Sequence, residues 1–467
     1  MKQLWVFLLF LSPLGAIADV WLPAIFSNDM VLQQQSSVTV WGWAQPGEKV
    51  KVTGSWLGES INTVTNENAV WKLTITTPKA GGPHTLSIEG RNKIVLQNVM
   101  VGEVWLCAGQ SNMEWSAEHG VKDAKAELPT AYNANIRFFK MPKLTAETPQ
   151  TDTKGKWAIC DSSTLKRFSA VGYFFGKKLT QSLNVPIGLI DVAWGGSYIE
   201  SWIPEHIVNM FPNTRISAET MIPSKGWPRQ AGYIYNGMVA PITPFNIAGA
   251  LWYQGESNRH FPSTYYQLMH LLVDTWRGAW QKDFPFYYVQ IAPFNYRDST
   301  EFKAPAVREM QTRAMDIRNS GMIVVTDLVD NLNDIHPAYK REVGNRLAGW
   351  ALAETYGQKT GNYRSPQYRS WQVEGNKAWV TFDWAESGLI AKGNTELAEF
   401  EIAGSDHVFH KAKAKIVKGN QVEVTSDKVS QPVAVRFAFR DTPVPNLFNK
   451  EGLPAIPFRT DDWKLGK

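Results

Sequence analysis

Only two cysteines, Cys107 and Cys160, occur in the 467 residues. Neither C-x-x-C nor H-E-x-x-H spacing is present, so no zinc ribbon or zincin-type metal centre is implied, and no motif asks for a cofactor. Cys107 lies inside an apolar strand pattern, where a thiol packs as a small hydrophobe, and a bridge to Cys160 is not the expectation. Long basic blocks are missing too: 48 Lys and Arg face 43 Asp and Glu, a net charge of +5. That mild balance argues against nucleic acid as a partner. No apolar run reaches the roughly 20 residues of a membrane-spanning helix, so no membrane anchor is expected. The G-x-S-x-G elbow of ordinary α/β-hydrolases is absent as well.

The chain does have an address label. Residues 1–18 read as a secretory signal peptide, with Lys2 as the positive end, an apolar run from Leu4 to Leu11, and Ala16-Ile17-Ala18 as the cleavage site. The mature protein then begins at Asp19 and is exported, periplasmic or secreted. The chain is also rich in tryptophan, with 20 residues. Most indole rings belong in a core, but surplus exposed ones suit the stacking faces of a sugar-binding groove.

Periodicity divides the chain into three segments. Residues 19–97 show short alternating strands, such as Ser37 to Trp43 and Trp71 to Thr76, between turn signals, and read as a β domain. Over 98–360 apolar strands at 103–108, 136–141, 186–193, 248–254, 284–292 and 322–327 alternate with helical stretches. That alternation marks an α/β domain built on a parallel sheet. The last helix is expected to open at Pro337. Residues 361–467 return to β patterns such as "AWVTFDW" and "VAVRFAF".

In a parallel sheet, ligands sit at the carboxyl ends of the strands. The polar residues following them are Ser111 in "AGQSN", Gly195 and Gly196 in "WGGS", Gly255, Glu256 and Asn258 in "QGESN", and Asp334 and His336 in "NDIHP". Those are the parts of an acyl-transfer site. A serine hydroxyl needs a histidine to take its proton, and the histidine needs an acid to fix its tautomer. Asp334 and His336 lie two apart, so an extended segment projects both to one side. The N–H groups of Ser111 and Gly196 and the amide of Asn258 would form the oxyanion hole. Each residue also has a plainer reading: Ser111-x-x-Glu114 fits a capping box, the glycines fit a turn, and Asn258 and Asp334 fit helix caps.

The stretches "GEVWLCAGQSNMEW", "PIGLIDVAWGGSYIESW", "YNGMVAPITPFNIAGALWYQGESN" and "DIHPAYKREVGNRLAGWAL" resemble the sialate O-acetylesterases, a branch of the SGNH (GDSL-like) hydrolases. "LPAIFSNDMVLQQ" and "NLFNKEGLPAIPFRTD" extend the resemblance over nearly the whole mature chain. The resemblance implies a flavodoxin-like SGNH three-layer α/β/α domain with flanking β-sandwich-type domains, and removal of O-acetyl groups from sugars without a cofactor. Ser111 matches the nucleophile, His336 the base, and Gly196 and Asn258 the oxyanion donors. The wider pattern places Asp three residues before the histidine, where Asn333 stands here. Asp334 is the expected acid, with Asp330 and Glu256 as competitors. Gln110, Glu256 and Arg259 are expected around the site, and Arg259, Arg308 and Arg313 are candidates for a sugar carboxylate. The expected activity is a serine carbohydrate esterase acting on O-acetylated sialic acids. An acetylesterase of xylan or another plant polysaccharide, and a non-catalytic sugar-binding protein, are the alternatives.

Overall fold

The computed structural model describes residues 19–222, 224, 226–297, 302–393 and 396–465, so the expected signal segment 1–18 lies outside the described residues. The fold is mixed α/β. Its centre is a sheet whose strands run in the order Ser320–Ile323, Phe286–Val289, Gly249–Tyr253, Lys93–Gly109, Ile187–Ala193, Asn133–Lys140 and Trp157–Cys160. Every pairing along that path is parallel except the last, between Asn133–Lys140 and Trp157–Cys160.

Side-chain alternation sorts this sheet into two apolar faces. Val104, Leu106, Ala108, Ile190 and Trp252 pack with Leu268, Leu272 and Trp276 of the helix Tyr265–Trp280. Trp105, Cys107, Leu189 and Leu251 pack on the other side with Phe175 and Leu179 of the helix Ala170–Leu183, and with Val343 and Leu347 of Lys340–Trp350. Both faces are dry, which is why the strands read as unbroken apolar runs.

The strand Lys93–Gly109 is 17 residues long and belongs to two regions at once. Its first half pairs antiparallel with Gly81–Glu89, and Met100 to Gly102 pair with Val31–Gln33. Its second half, Glu103 to Gly109, pairs with Ile187–Ala193. The boundary expected at residue 97 therefore falls inside a continuous strand rather than in a linker. At the other end, Gln367–Glu374, Lys377–Asp383, Gln421–Thr425 and Lys413–Lys418 form one antiparallel sheet, and Phe400–Ala403 and Ala434–Phe437 belong to a second. These enclose a core of their own, including Val380, Phe382, Val422 and Phe437.

Two local expectations are corrected. The helix expected to open at Pro337 begins at Lys340, and Tyr339 before it has φ −89° and ψ 63°. One local and one tertiary bond hold the preceding loop out of helical geometry: Asp334 Oδ1 accepts the His336 N–H at 2.9 Å, and Asn112 Nδ2 donates to Ile335 O at 3.1 Å. Asp334 thus caps its own loop and not the helix. Cys107 and Cys160 are both buried and unbridged.

Candidate active site

The sheet reverses its direction of construction at Lys93–Gly109, whose neighbours Ile187–Ala193 and Gly249–Tyr253 lie on opposite sides. Loops leaving such neighbours diverge and open a crevice at the strand ends. Gly109 makes the turn possible: its φ is +135°, and a Cβ there would stand 2.2 Å from Tyr253 O. Only glycine fits. Gln110 follows in extended geometry as the N-cap, with no side-chain cap bond, and Ser111 opens the helix Ser111–Glu114. The capping-box reading fails on both residues. The Glu114 carboxylate instead accepts from Gly195 N at 2.7 Å and pairs with Lys143 at 2.6 Å.

The Ser111 hydroxyl faces the histidine. His336 Nε2 lies 3.0 Å from Ser111 Oγ, across 225 residues of sequence. The imidazole is stacked on Trp115, ring centres 3.6 Å apart and 17° from parallel. Burial is the main force on this ring, and with the nearby Lys340 charge it pushes the His336 pKa down to about 4, although Asp334 pulls the other way. A histidine in this setting is neutral at ordinary pH and free to accept a proton. Its Nδ1 is 3.5 Å from Asp334 Oδ1, and that carboxylate is 50% exposed. Asp330 is exposed, and the Glu256 carboxylate is engaged by Asn112.

The Gly195-Gly196 turn abuts the serine. A Cβ on Gly195 would stand 3.2 Å from Ser111 Cβ, while Gly196, at φ +69°, lies under Trp227. Among the described residues no acceptor faces the N–H of Ser111 or that of Gly196. Asn258 does not join them. Its Nδ2 donates to Glu200 Oε2 at 2.8 Å, and its Oδ1 accepts from Ile199 N at 3.0 Å and from Gln254 Nε2 at 2.7 Å. Asn258 is buried behind the wall and is absent from the cavity lining. The amide expected in the oxyanion hole is spent on the buried Glu200 carboxylate and the Ile199 turn.

The cavity holding Ser111 and His336 has a volume of about 500 Å³. Gln110, Glu256 and Arg259 line it as expected, and Lys143, Arg229 and Trp227 add charge and an aromatic rim that sequence reasoning missed. Arg259 lies over the Tyr296 ring at 3.8 Å. The other two arginines are elsewhere. Arg308 is buried and donates to Arg440 O at 2.5 Å, and Arg313 lines a separate cavity with Asp316 and Trp350. Beneath the site, Asn112 Nδ2 donates to Glu256 Oε1 at 2.6 Å and Lys340 Nζ donates to Asn112 Oδ1 at 2.6 Å. Asn112 stands inside the "GQSN" motif, and Lys340 follows His336 by four, yet neither spacing announces burial.

A family model described as carbohydrate esterase, sialic acid-specific acetylesterase, matches residues 101–353, the span that carries this geometry. The chain belongs to that family. Sialate O-acetylesterase from Homo sapiens is 28% identical over 92% of this chain and 91% of its own length. The Mus musculus sialate O-acetylesterase is also 28% identical, over 73% of this chain and 74% of its own. A crystal structure of a carbohydrate acetylesterase from Xanthomonas citri superposes with a TM-score of 0.88 at 34% identity, covering 95% of this chain and 100% of that one. This member of the sialic acid-specific acetylesterase family shares with that carbohydrate acetylesterase the mixed α/β centre and the added antiparallel sheets. No group of three or more metal-ligating side chains, and no helix long and apolar enough to cross a membrane, occurs among the described residues.

Proposed function

We propose that the protein is a serine esterase that removes O-acetyl groups from sugars, with O-acetylated sialic acids as its substrates. The 3.0 Å contact between Ser111 Oγ and His336 Nε2 carries this reading. Ser111 Oγ attacks the acetyl carbonyl as its proton passes to His336 Nε2. The tetrahedral oxyanion faces the N–H groups of Ser111 and Gly196. Collapse breaks the ester bond, and His336 gives its proton to the departing sugar oxygen. Water, deprotonated by the same ring, then attacks the acetyl-enzyme; the bond to Ser111 Oγ breaks, His336 returns the proton to that oxygen, and acetate leaves. Asp334, beside Nδ1, favours the imidazolium that forms in each step.

The choice of a sialic acid rests on charge. Lys143, Arg229 and Arg259 all line the cavity, and a sugar carboxylate is the anionic handle they suit. A neutral xylan chain carries no such anion. We assign export to residues 1–18 on the strength of Lys2, the Leu4 to Leu11 run and Ala16-Ile17-Ala18. The SGNH-type three-layer arrangement of the central domain is part of the same reading, supported by apolar packing on both faces of the sheet. Acetate release from O-acetylated sialosides and from acetylated xylan, by the wild type and by Ser111→Ala, tests the proposal. Release confined to sialosides and lost in Ser111→Ala is the expected result. Hydrolysis retained by a folded Ser111→Ala removes the serine, and equal release from both substrates removes the sialate preference.

A further inference from the structure

Asn112 follows Ser111 and Ile335 precedes His336, and one side chain ties the two backbones together. Asn112 Nδ2 donates both to Ile335 O at 3.1 Å and to Glu256 Oε1 at 2.6 Å. The amide can hold that orientation only if its oxygen has a donor, and Lys340 Nζ supplies it at 2.6 Å. Asn112 and Lys340 have no solvent exposure and Glu256 is buried. A lysine is rarely placed in such a position, because taking an ammonium out of water costs several kcal/mol. Nothing in the chemistry of ester cleavage uses this amine directly. The Tyr253 ring also lies beside it, its centre 5.2 Å from Nζ.

We infer that Lys340 is a positioning residue, which fixes the Asn112 amide so that the helix carrying Ser111 and the loop carrying His336 are held at reacting distance. This rests on Ser111 and His336 as nucleophile and base. The clamp joins three segments far apart in sequence: the helix Ser111–Glu114, the turn at Glu256, and the first turn of Lys340–Trp350. A reversed Asn112 amide would present its oxygen to both Glu256 and Ile335 O, and its NH2 to the ammonium. The ammonium excludes that state.

The lysine also leaves an electrical signature. His336 is faced by Lys340 from the helix, by Asp334 from its own loop and by His119 from the segment after Trp115. Lys340 in turn is faced by Glu256, Asp123 and Asp334. Burial pushes Lys340 down to about 7, so it is charged throughout the acidic range where His336 titrates. There its charge holds the imidazole in the neutral form.

The experiment compares Lys340→Met, Lys340→Arg and Ser111→Ala in acetyl-ester hydrolysis across pH, with competent sites counted by a serine-directed fluorophosphonate. Per competent site, Lys340→Met is expected to lower kcat roughly 10- to 100-fold with KM within about twofold, the loss typical of a misplaced catalytic pair. Its acid limb is expected to move to higher pH, and Lys340→Arg, which keeps the charge, is expected to keep the wild-type limb. A wild-type kcat and limb in Lys340→Met overturns the inference, and so does a lowered kcat with an unmoved limb, which is what a purely structural lysine gives. If Lys340→Met does not fold, the isosteric Asn112→Asp decides, since it keeps an acceptor for Lys340 and loses the donor to Ile335 O. A fall of at least about tenfold in its kcat supports the clamp, and a wild-type value refutes it. Activity in Ser111→Ala would instead sink the serine reading on which the clamp depends.

Discussion

Acidification is the perturbation that tests the site most directly, because the structure sets where His336 takes up its proton. A free imidazole at the usual 6.5 is only about 9% neutral at pH 5.5, whereas one at about 4 is about 97% neutral. The acid limb of kcat/KM should therefore fall near pH 4, and activity at pH 5.5 should be close to its plateau. The ring owes this chiefly to burial, and one of its faces is covered by Trp115 at 3.6 Å. Trp115→Ala opens that face to water and should move the limb back toward 6.5. Stability follows the same group. The folded state resists a proton that the unfolded chain accepts, so stability is complete above about 6.5 and falls as the pH drops toward 4. The loss is up to about 3 kcal/mol for a shift of this size. Initial rates of acetate release between pH 3.5 and 8, with thermal unfolding over the same range, supply both curves. An acid limb near 6.5 in the wild type, or a limb unchanged in Trp115→Ala, refutes the argument that burial under the indole governs the base.

Three further outcomes follow from the geometry. Asn258→Ala should cost stability, by about 1–3 kcal/mol or more, because it strips a donor from the buried Glu200 carboxylate. Measured per folded molecule, its kcat should change far less than the 10²–10³ expected of an oxyanion donor. Asp334→Asn should lower kcat well short of the roughly 10⁴ seen for a buried triad acid, since the Asp334 carboxylate is 50% exposed and 3.5 Å from Nδ1. A full 10⁴ loss would mean that the contact tightens when substrate binds. Arg259→Ala should raise KM for an O-acetylated sialate and leave a small neutral acetyl ester nearly unchanged, and equal effects on both would remove Arg259 from carboxylate recognition.

How much of this was legible in the sequence differed from residue to residue. That Ser111, Gly196 and His336 meet at one crevice could be read because strand periodicity marks where the sheet stops, and topology brings those ends together. Asn258 satisfied the same criterion and was misread. Position at a strand end says nothing about whether an amide turns toward the crevice or toward a buried carboxylate such as Glu200. Lys340 was invisible for the opposite reason, since a lysine in a helical pattern reads as a solvated face and only tertiary packing buries it. The helix start at Pro337 was wrong because helical propensity yielded to a local turn, in which Asp334 accepts from His336 N, and to a tertiary hydrogen bond on Ile335 O. The boundary at residue 97 looked like a change of domain because exposure alternates over Lys93 to Gln97 and ceases beyond Val99. One strand passes from a half-wet sheet into a dry one.

That strand makes the architecture indivisible. Its outer half completes the sheet containing Gly81–Glu89, and its inner half is the spine on which Ser111 is mounted. Cutting the chain at residue 97 would leave one fragment with an unpaired edge and the other with a shortened centre strand, two aggregation-prone pieces in place of two domains. A protease or a fusion junction finds no slack linker here. The N-terminal β region and the central domain should therefore melt in one cooperative transition, and the former cannot be exchanged like a cassette without resetting the position of Ser111.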